Sequence, residues 1–232
     1  MNKIDHTLIN AFTYLHRKEY TPVFCGLVGY QDEEYATLAP YANIVSIVKP
    51  PKSYFYNRKP KINDFVSSEA GDIHIYEPLE FLEALTKGKY RVLESLYTNY
   101  HLCRPSMVPI YDILVSQRQN LLGNNFNLIV NSLEIESKRY QSSRDPIYVY
   151  HAVRLKFILK NIHSKNPFLL YPEQEAILKD IVSMKYLQDR NTKETIQNFL
   201  QTSLTFQQPK INHFNIQEWK EQMVNLIMSE EE

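Results

Sequence analysis

The stretch GDIHIYEPLEFLEALTKG, residues 71–88, passes from a two-residue period to a helical one across a single proline. Asp72, Ile73, His74, Ile75 and Tyr76 alternate polar and apolar, which predicts a strand. Pro78 stands where a helix begins, because the N–H it lacks would find no partner in the first turn anyway. Leu79, Phe81, Leu82 and Leu85 then form one apolar stripe, and Lys87-Gly88-Lys89 reads as a basic, glycine-capped exit. A strand running directly into an amphipathic helix predicts a sheet with helices packed on it.

Upstream, Ile4, Leu8, Ile9, Phe12 and Leu15 recur at helical spacing over residues 3–18, and Thr21-Pro22 ends the pattern. Val23 to Val28 is a short apolar run suited to a buried strand, closed by Gly29. Residues 31–38 read as a short helix or turn. A second strand is expected at about 42–48, stopped by Pro50-Pro51, and a long connection leads to Asp72. After about residue 90 the strand signals vanish. Helices are expected near 92–97, 108–122, 127–140, 148–163, 173–184, 192–201 and 216–228. QQPKINHF at 207–214 reads as a linker, and Glu230–Glu232 as a frayed tail. The expected fold class is α+β: an α/β domain with a mixed sheet over residues 1–100, then an all-helical domain over 101–232.

The bulk numbers narrow the function. In 232 residues, 26 basic and 26 acidic side chains cancel, so contact with a polyanion has to come from a local patch. Hydrophobic content of 44% and aromatic content of 12% predict a folded chain. Cys25 and Cys103 are too few for a disulfide scaffold and lack zinc-site spacing, so both read as reduced thiols. The start, MNKIDHTLINAF, has no apolar core of signal-peptide length. No apolar run approaches the roughly 18 residues of a membrane span. A cytoplasmic protein with no membrane partner is expected. Gly-x-Ser-x-Gly, P-loop and dinucleotide fingerprints are all absent.

Helix, strand, glycine turn, short helix, strand, long connection, strand, helix is the element order of a nucleotidyltransferase core. The chain resembles the DNA polymerase β superfamily, and within it the nucleotidyltransferases of phages and bacteria associated with RNA repair. The resemblance rests on Val28-Gly29 closing one strand, Pro50-Pro51 closing the next, GDIHIYEPLEFLEALTKGKYRVLESLY at 71–97, and YHAVRLKFIL at 150–159. It implies a Gly-Ser turn facing the triphosphate and an Asp-x-Asp pair opening the second strand. Here Tyr30 replaces the serine, and Tyr41 and Asn43 occupy the two aspartate positions. Asp72 falls where the family carries an additional carboxylate.

Two-metal nucleotidyl transfer needs hard oxygen ligands holding divalent ions about 3.5–4 Å apart. A tyrosine hydroxyl and a neutral amide bring no formal charge to that task. Asp32, Glu33 and Glu34 are the only substitutes close in sequence, and an acidic triplet at a helix start also reads as a solvated end favoured by the helix dipole. The expectation is a nucleotidyltransferase-fold pseudoenzyme that works by binding a protein or RNA partner, with no cofactor. The rival is an active, divergent enzyme using magnesium on Asp72 and the acidic triplet to add a nucleotide to an RNA end or protein hydroxyl.

Further candidates surround this core. KPPKSYFYNRKPK at 49–61 interleaves Lys49, Lys52, Arg58, Lys59 and Lys61 with Tyr54, Phe55 and Tyr56, and contains no acid. Cations for phosphates and rings for bases make it the best nucleotide or nucleic-acid patch, alone or with Gly29 and Tyr30. A solvated loop with its aromatics on the sheet is the plainer alternative. His74 shares a strand face with Asp72, as a metal pair or as a hydrogen-bonded histidine. His101-x-Cys103 has no partner motif. His151 and Arg154 share one helix face, turned to a cleft or packed against neighbours.

Overall fold

The computed structural model describes residues 3–29, 43–49, 63–68, 71–141, 146–183, 188–207 and 214–229. Helix α1 (Lys3–Arg17) leads into β1 (Thr21–Val28), β2 (Asn43–Lys49), β3 (Asn63–Ser68) and β4 (Gly71–Tyr76). Then come α2 (Pro78–Thr86), α3 (Tyr90–Glu94), β5 (His101–Cys103), α4 (Val108–Ser116) and α5 (Arg118–Asn124). The remaining helices are α6 (Phe126–Gln141), α7 (Pro146–Lys160), α8 (Pro172–Val182), α9 (Arg190–Gln201) and α10 (Ile216–Ser229). This is the α+β class with a largely helical C-terminal part.

The five strands form one sheet in the order β3-β4-β2-β1-β5. Only β2 and β4 run parallel, and every other pair is antiparallel. Alternation sends Cys25, Leu27, Ile44, Val48, Ile73 and Ile75 to one face, where Ile4, Leu8, Ala11 and Leu15 of α1 close over them. Ser46 is the polar member of that face. Its Oγ donates to the Phe24 carbonyl (2.9 Å) and accepts from the Cys25 thiol (3.2 Å), so it is buried without an unmet bond. Both cysteines are free thiols, and burial pushes that of Cys25 up to about 12.

On the other face Tyr76 meets the edge of Phe81 from α2 (6.2 Å) and Phe24 stacks on Tyr111 from α4 (4.8 Å). The α2 exit is a Schellman turn. Gly88 takes φ +69°, the Lys89 N–H donates to Ala84 O (3.0 Å), and the Gly88 N–H donates to Leu85 O (3.1 Å).

Three expectations need correction. The segment leading to Asp72 contains a strand, β3, paired antiparallel to β4. Strands do not end at residue 90, because His101–Cys103 pairs with Phe24–Gly26 of β1. The single helix expected at 108–122 is two, with Gln117 between them.

Contacts divide the chain into one unit of Met1–Asn125 with Ile211–Glu232, and a second of Phe126–Lys210. The division expected at residue 100, drawn where strand signals fade, falls inside the first unit. β5 belongs to the sheet, and α10 joins the first unit by burying Trp219 and Met223 and by setting Lys220 Nζ 3.5 Å from Glu83 Oε1. The second unit, α6 to α9, is held by Ser137 Oγ donating to Ala152 O (3.1 Å) and by reciprocal amide bonds between Asn161 and Gln174 (3.0 and 3.2 Å). The expected linker straddles the boundary at Lys210, although residues 208–213 lie outside the described residues, as do the 31–38 element and the acidic tail.

Two predictions follow from this packing. A Cβ at Gly26 would lie 2.6 Å from Phe24 Cζ and 3.3 Å from Ser95 Cβ, and the Phe24 ring that would have to shift is buried and stacked on Tyr111. Gly26→Ala is expected to cost about 1–3 kcal/mol, read as a lower urea midpoint at unchanged slope. An unchanged midpoint would refute the close approach.

His101 lies 4.6 Å from Tyr111 and 6.0 Å from Phe24 between ring centroids. Burial holds its pKa below the ordinary 6.5, against a Thr98 backbone hydrogen bond and the Asp112 charge that raise it. The unfolded chain therefore takes up this proton first, so the contribution to stability is full above pH 6.5 and declines as pH falls through it. Between about pH 7.5 and about pH 5.5 the wild type should lose more stability than His101→Phe, whose ring does not titrate. Parallel losses would sink this reading.

Candidate functional site

Three of the residues singled out by counting lie together at one end of the sheet. Asn43 opens β2, opposite Val28 at the end of β1 on one side and opposite Asp72 of β4 on the other. Because β2 and β4 run parallel, both strands start at this end, which puts the Asn43 amide and the Asp72 carboxylate in one row. Ser67 of β3 extends the row, its Oγ donating to Asp72 Oδ1 at 2.7 Å.

Gly29 follows Val28 with φ +90°, a conformation that favours glycine, and a Cβ there would lie 3.9 Å from Asn43 Nδ2. Its N–H donates to Oε1 of Glu94 at 2.9 Å, and Glu94 is only 1% exposed. Sequence reasoning missed Glu94. It stands in α3 among apolar neighbours, and no local pattern announces that its carboxylate is buried against a backbone amide from β1.

One step inward on the same face, His74 pairs across strands with Phe65, ring centroids 5.0 Å apart. Burial, then the Arg91 charge, hold its pKa below 6.5, with Lys89 adding to the effect and Asp72 opposing it, so the ring is neutral at pH 7. His74 and Asp72 do share a face, as expected. Among the described residues, however, no group of three His, Cys, Asp or Glu side chains comes together to hold a metal. The row does not fit two magnesium ions, since it gives one carboxylate beside a neutral amide.

The other candidates are placed as follows. Lys49 ends β2 with 9% of its surface exposed, so its stem is packed rather than presented as part of a solvated patch. Tyr30, Asp32, Glu33, Glu34, Tyr41, Lys52, Tyr54, Phe55, Tyr56, Arg58, Lys59 and Lys61 lie outside the described residues. His151 and Arg154 belong to the second unit, on α7. Arg154 is 4% exposed, and His151 is half-buried with its ring edge-on to Tyr150 at 5.5 Å. His101 and Cys103 lie on β5, at the sheet edge beyond β1. The second unit also carries a cavity of about 410 Å³ between α7, α8 and α9, walled by Phe157, Ile177, Ile196 and Phe199 and lined by neither His151 nor Arg154. No described helix is long and apolar enough to cross a membrane.

Comparisons with protein-family models, with curated proteins and with solved structures find no match to this chain.

The Glu94 contact has a direct test. Glu94→Ala removes the acceptor of the half-buried Gly29 N–H and is expected to cost about 1–3 kcal/mol. Glu94→Gln keeps a carbonyl oxygen there and should cost less. Equal losses, measured by urea denaturation, would show that the Gly29 bond is not what holds Glu94.

Proposed function

We propose that the protein is a nucleotidyltransferase-like pseudoenzyme of the cytoplasm that has lost two-metal catalysis and acts by binding a partner, RNA or protein. If it comes from a phage, as the resemblance suggests, the cytoplasm is the host's. The observation that carries this reading is the row Asn43–Asp72. Parallel strands begin side by side, one with a neutral amide and one with a carboxylate, behind a glycine turn whose amide is engaged by Glu94. A single carboxylate leaves the charge of two divalent ions largely uncompensated. Folds outlast their chemistry, and the function then follows whatever surface is left.

The rival is a divergent magnesium-dependent transferase in which Asp72 is joined by Asp32, Glu33 or Glu34. A labelling assay separates the two. The purified chain is mixed with each α-labelled nucleoside triphosphate, magnesium or manganese, total RNA and a cell lysate, beside an Asp72→Ala control. No label in RNA or protein is expected with either metal. Label that transfers in the wild type and disappears in the control would overturn the proposal and establish the rival.

A further inference from the structure

The face of the sheet turned away from α1 carries, toward its β3 edge, groups that the loss of catalysis leaves without a role. Phe65 is 52% exposed on that edge strand, where a phenyl ring gains little from burial. It pairs with His74, their planes inclined at 59°, and the His74 Nε2 is buried without a hydrogen-bond partner among the described residues. Arg91, half-buried, and Lys89, exposed, bring two positive charges close enough to act on the His74 ring. Arg91 lies over the Tyr90 ring (5.9 Å to the centroid), and its Nε donates to Tyr90 Oη at 3.1 Å. One row along the same face, about 7 Å away along the strand, Asp72 offers carboxylate oxygens and Asn43 an amide.

We propose that this face binds single-stranded RNA, with a base stacked on Phe65, flanking phosphates on Lys89 and Arg91, and sugar hydroxyls directed to Asp72. The proposal rests on the reading of the chain as a binding protein and names the partner. Phe65 is exposed, and the two cations act on the His74 ring it pairs with, a set that matches a base with neighbouring phosphates; the stack is available only where bases are unpaired. The carboxylate row is an acceptor for the 2′-hydroxyl that RNA has and DNA lacks. The sequence between β2 and β3 points the same way, since residues 50–62 contain Lys52, Arg58, Lys59 and Lys61 and, before Asn63, no acid. Among the described residues this edge presents one exposed ring among charges, and a protein interface would centre on a broader apolar patch.

The test is fluorescence anisotropy with a labelled single-stranded RNA of mixed sequence, in buffer containing a chelator so that metal plays no part. Phe65→Ala removes an exposed side chain and should fold as the wild type does, which its melting temperature checks. It is expected to weaken binding about 5–150-fold, the equivalent of the ~1–3 kcal/mol of one base–aromatic stack, while Phe65→Tyr keeps the affinity. Arg91→Gln should flatten the slope of log affinity against log salt by about 0.7. DNA of the same sequence should bind more weakly than the RNA. Unchanged affinity in Phe65→Ala overturns the site, and equal affinity for DNA overturns the RNA assignment. If the wild type binds no RNA, and a lysate protein retained by the wild type is lost with Phe65→Ala, the face belongs to a protein partner. Failure here leaves the catalytic-loss reading standing, whereas nucleotide transfer in the labelling assay would sink that reading without altering RNA affinity.

Discussion

The rest of the first unit depends on the parallel pairing of β2 with β4. A parallel pair cannot be closed by a tight turn, so the chain must leave the sheet and come back. It comes back by way of β3, which takes the outer edge and returns into β4 with only residues 69 and 70 between the two strands. β2 lies between β4 and β1 and is buried on both faces, which is why it reads NIVSIVK rather than as an alternation, whereas its parallel partner β4 keeps one. That burial requires α1 on one face and α2 to α4 on the other. The same pairing aligns the strand starts, so Asn43 and Asp72 become neighbours as a consequence of topology and not of any contact between their side chains.

Some polar groups inside this layered core are matched, while His101 Nδ1 and Trp219 Nε1 are buried without a hydrogen-bond partner among the described residues. Ser46 and Cys25 satisfy each other and the Phe24 carbonyl, and the Asn125 amide donates to Leu85 O (3.2 Å) and Leu121 O (3.1 Å), tying α5 to α2. Glu94 and Gly29 are joined in the same way. Glu94, 1% exposed, accepts from the Gly29 amide just past the end of β1, so it sits where that strand stops.

Much of the fold was legible wherever one segment carries its own signal. α1, β1, β2, β4 and α2 follow from apolar spacing, Pro78 and Gly88, and counting from Gly29 and Pro50 placed Asn43 in the row with Asp72. What escaped is made by distant partners. β5 is three residues long, too short for any period, and is a strand only because β1 offers it a pairing edge. β3 reads Asn-Asp-Phe-Val-Ser-Ser; Val66 packs against the core, but Phe65 beside it is exposed, so the inward pattern is too short to read. Glu94 is 65 positions from the amide it binds, and a lone acid in a helix ordinarily reads as solvated. The basic tract at 49–61 shows the limit of the opposite case, since composition gives its charge and its rings but not where they point.

The second unit interrupts the first: the chain leaves at Asn125 and re-enters at Ile211. On the ribosome, α6 to α9 emerge before the helix that buries Trp219 and Met223 against α2 and α4. The sheet is therefore synthesised early and finished late, with part of its helical cover waiting for about 85 residues of unrelated structure to be made, some seconds at ordinary elongation rates. During that interval the α2 surface that will meet α10 is open to water and to other chains.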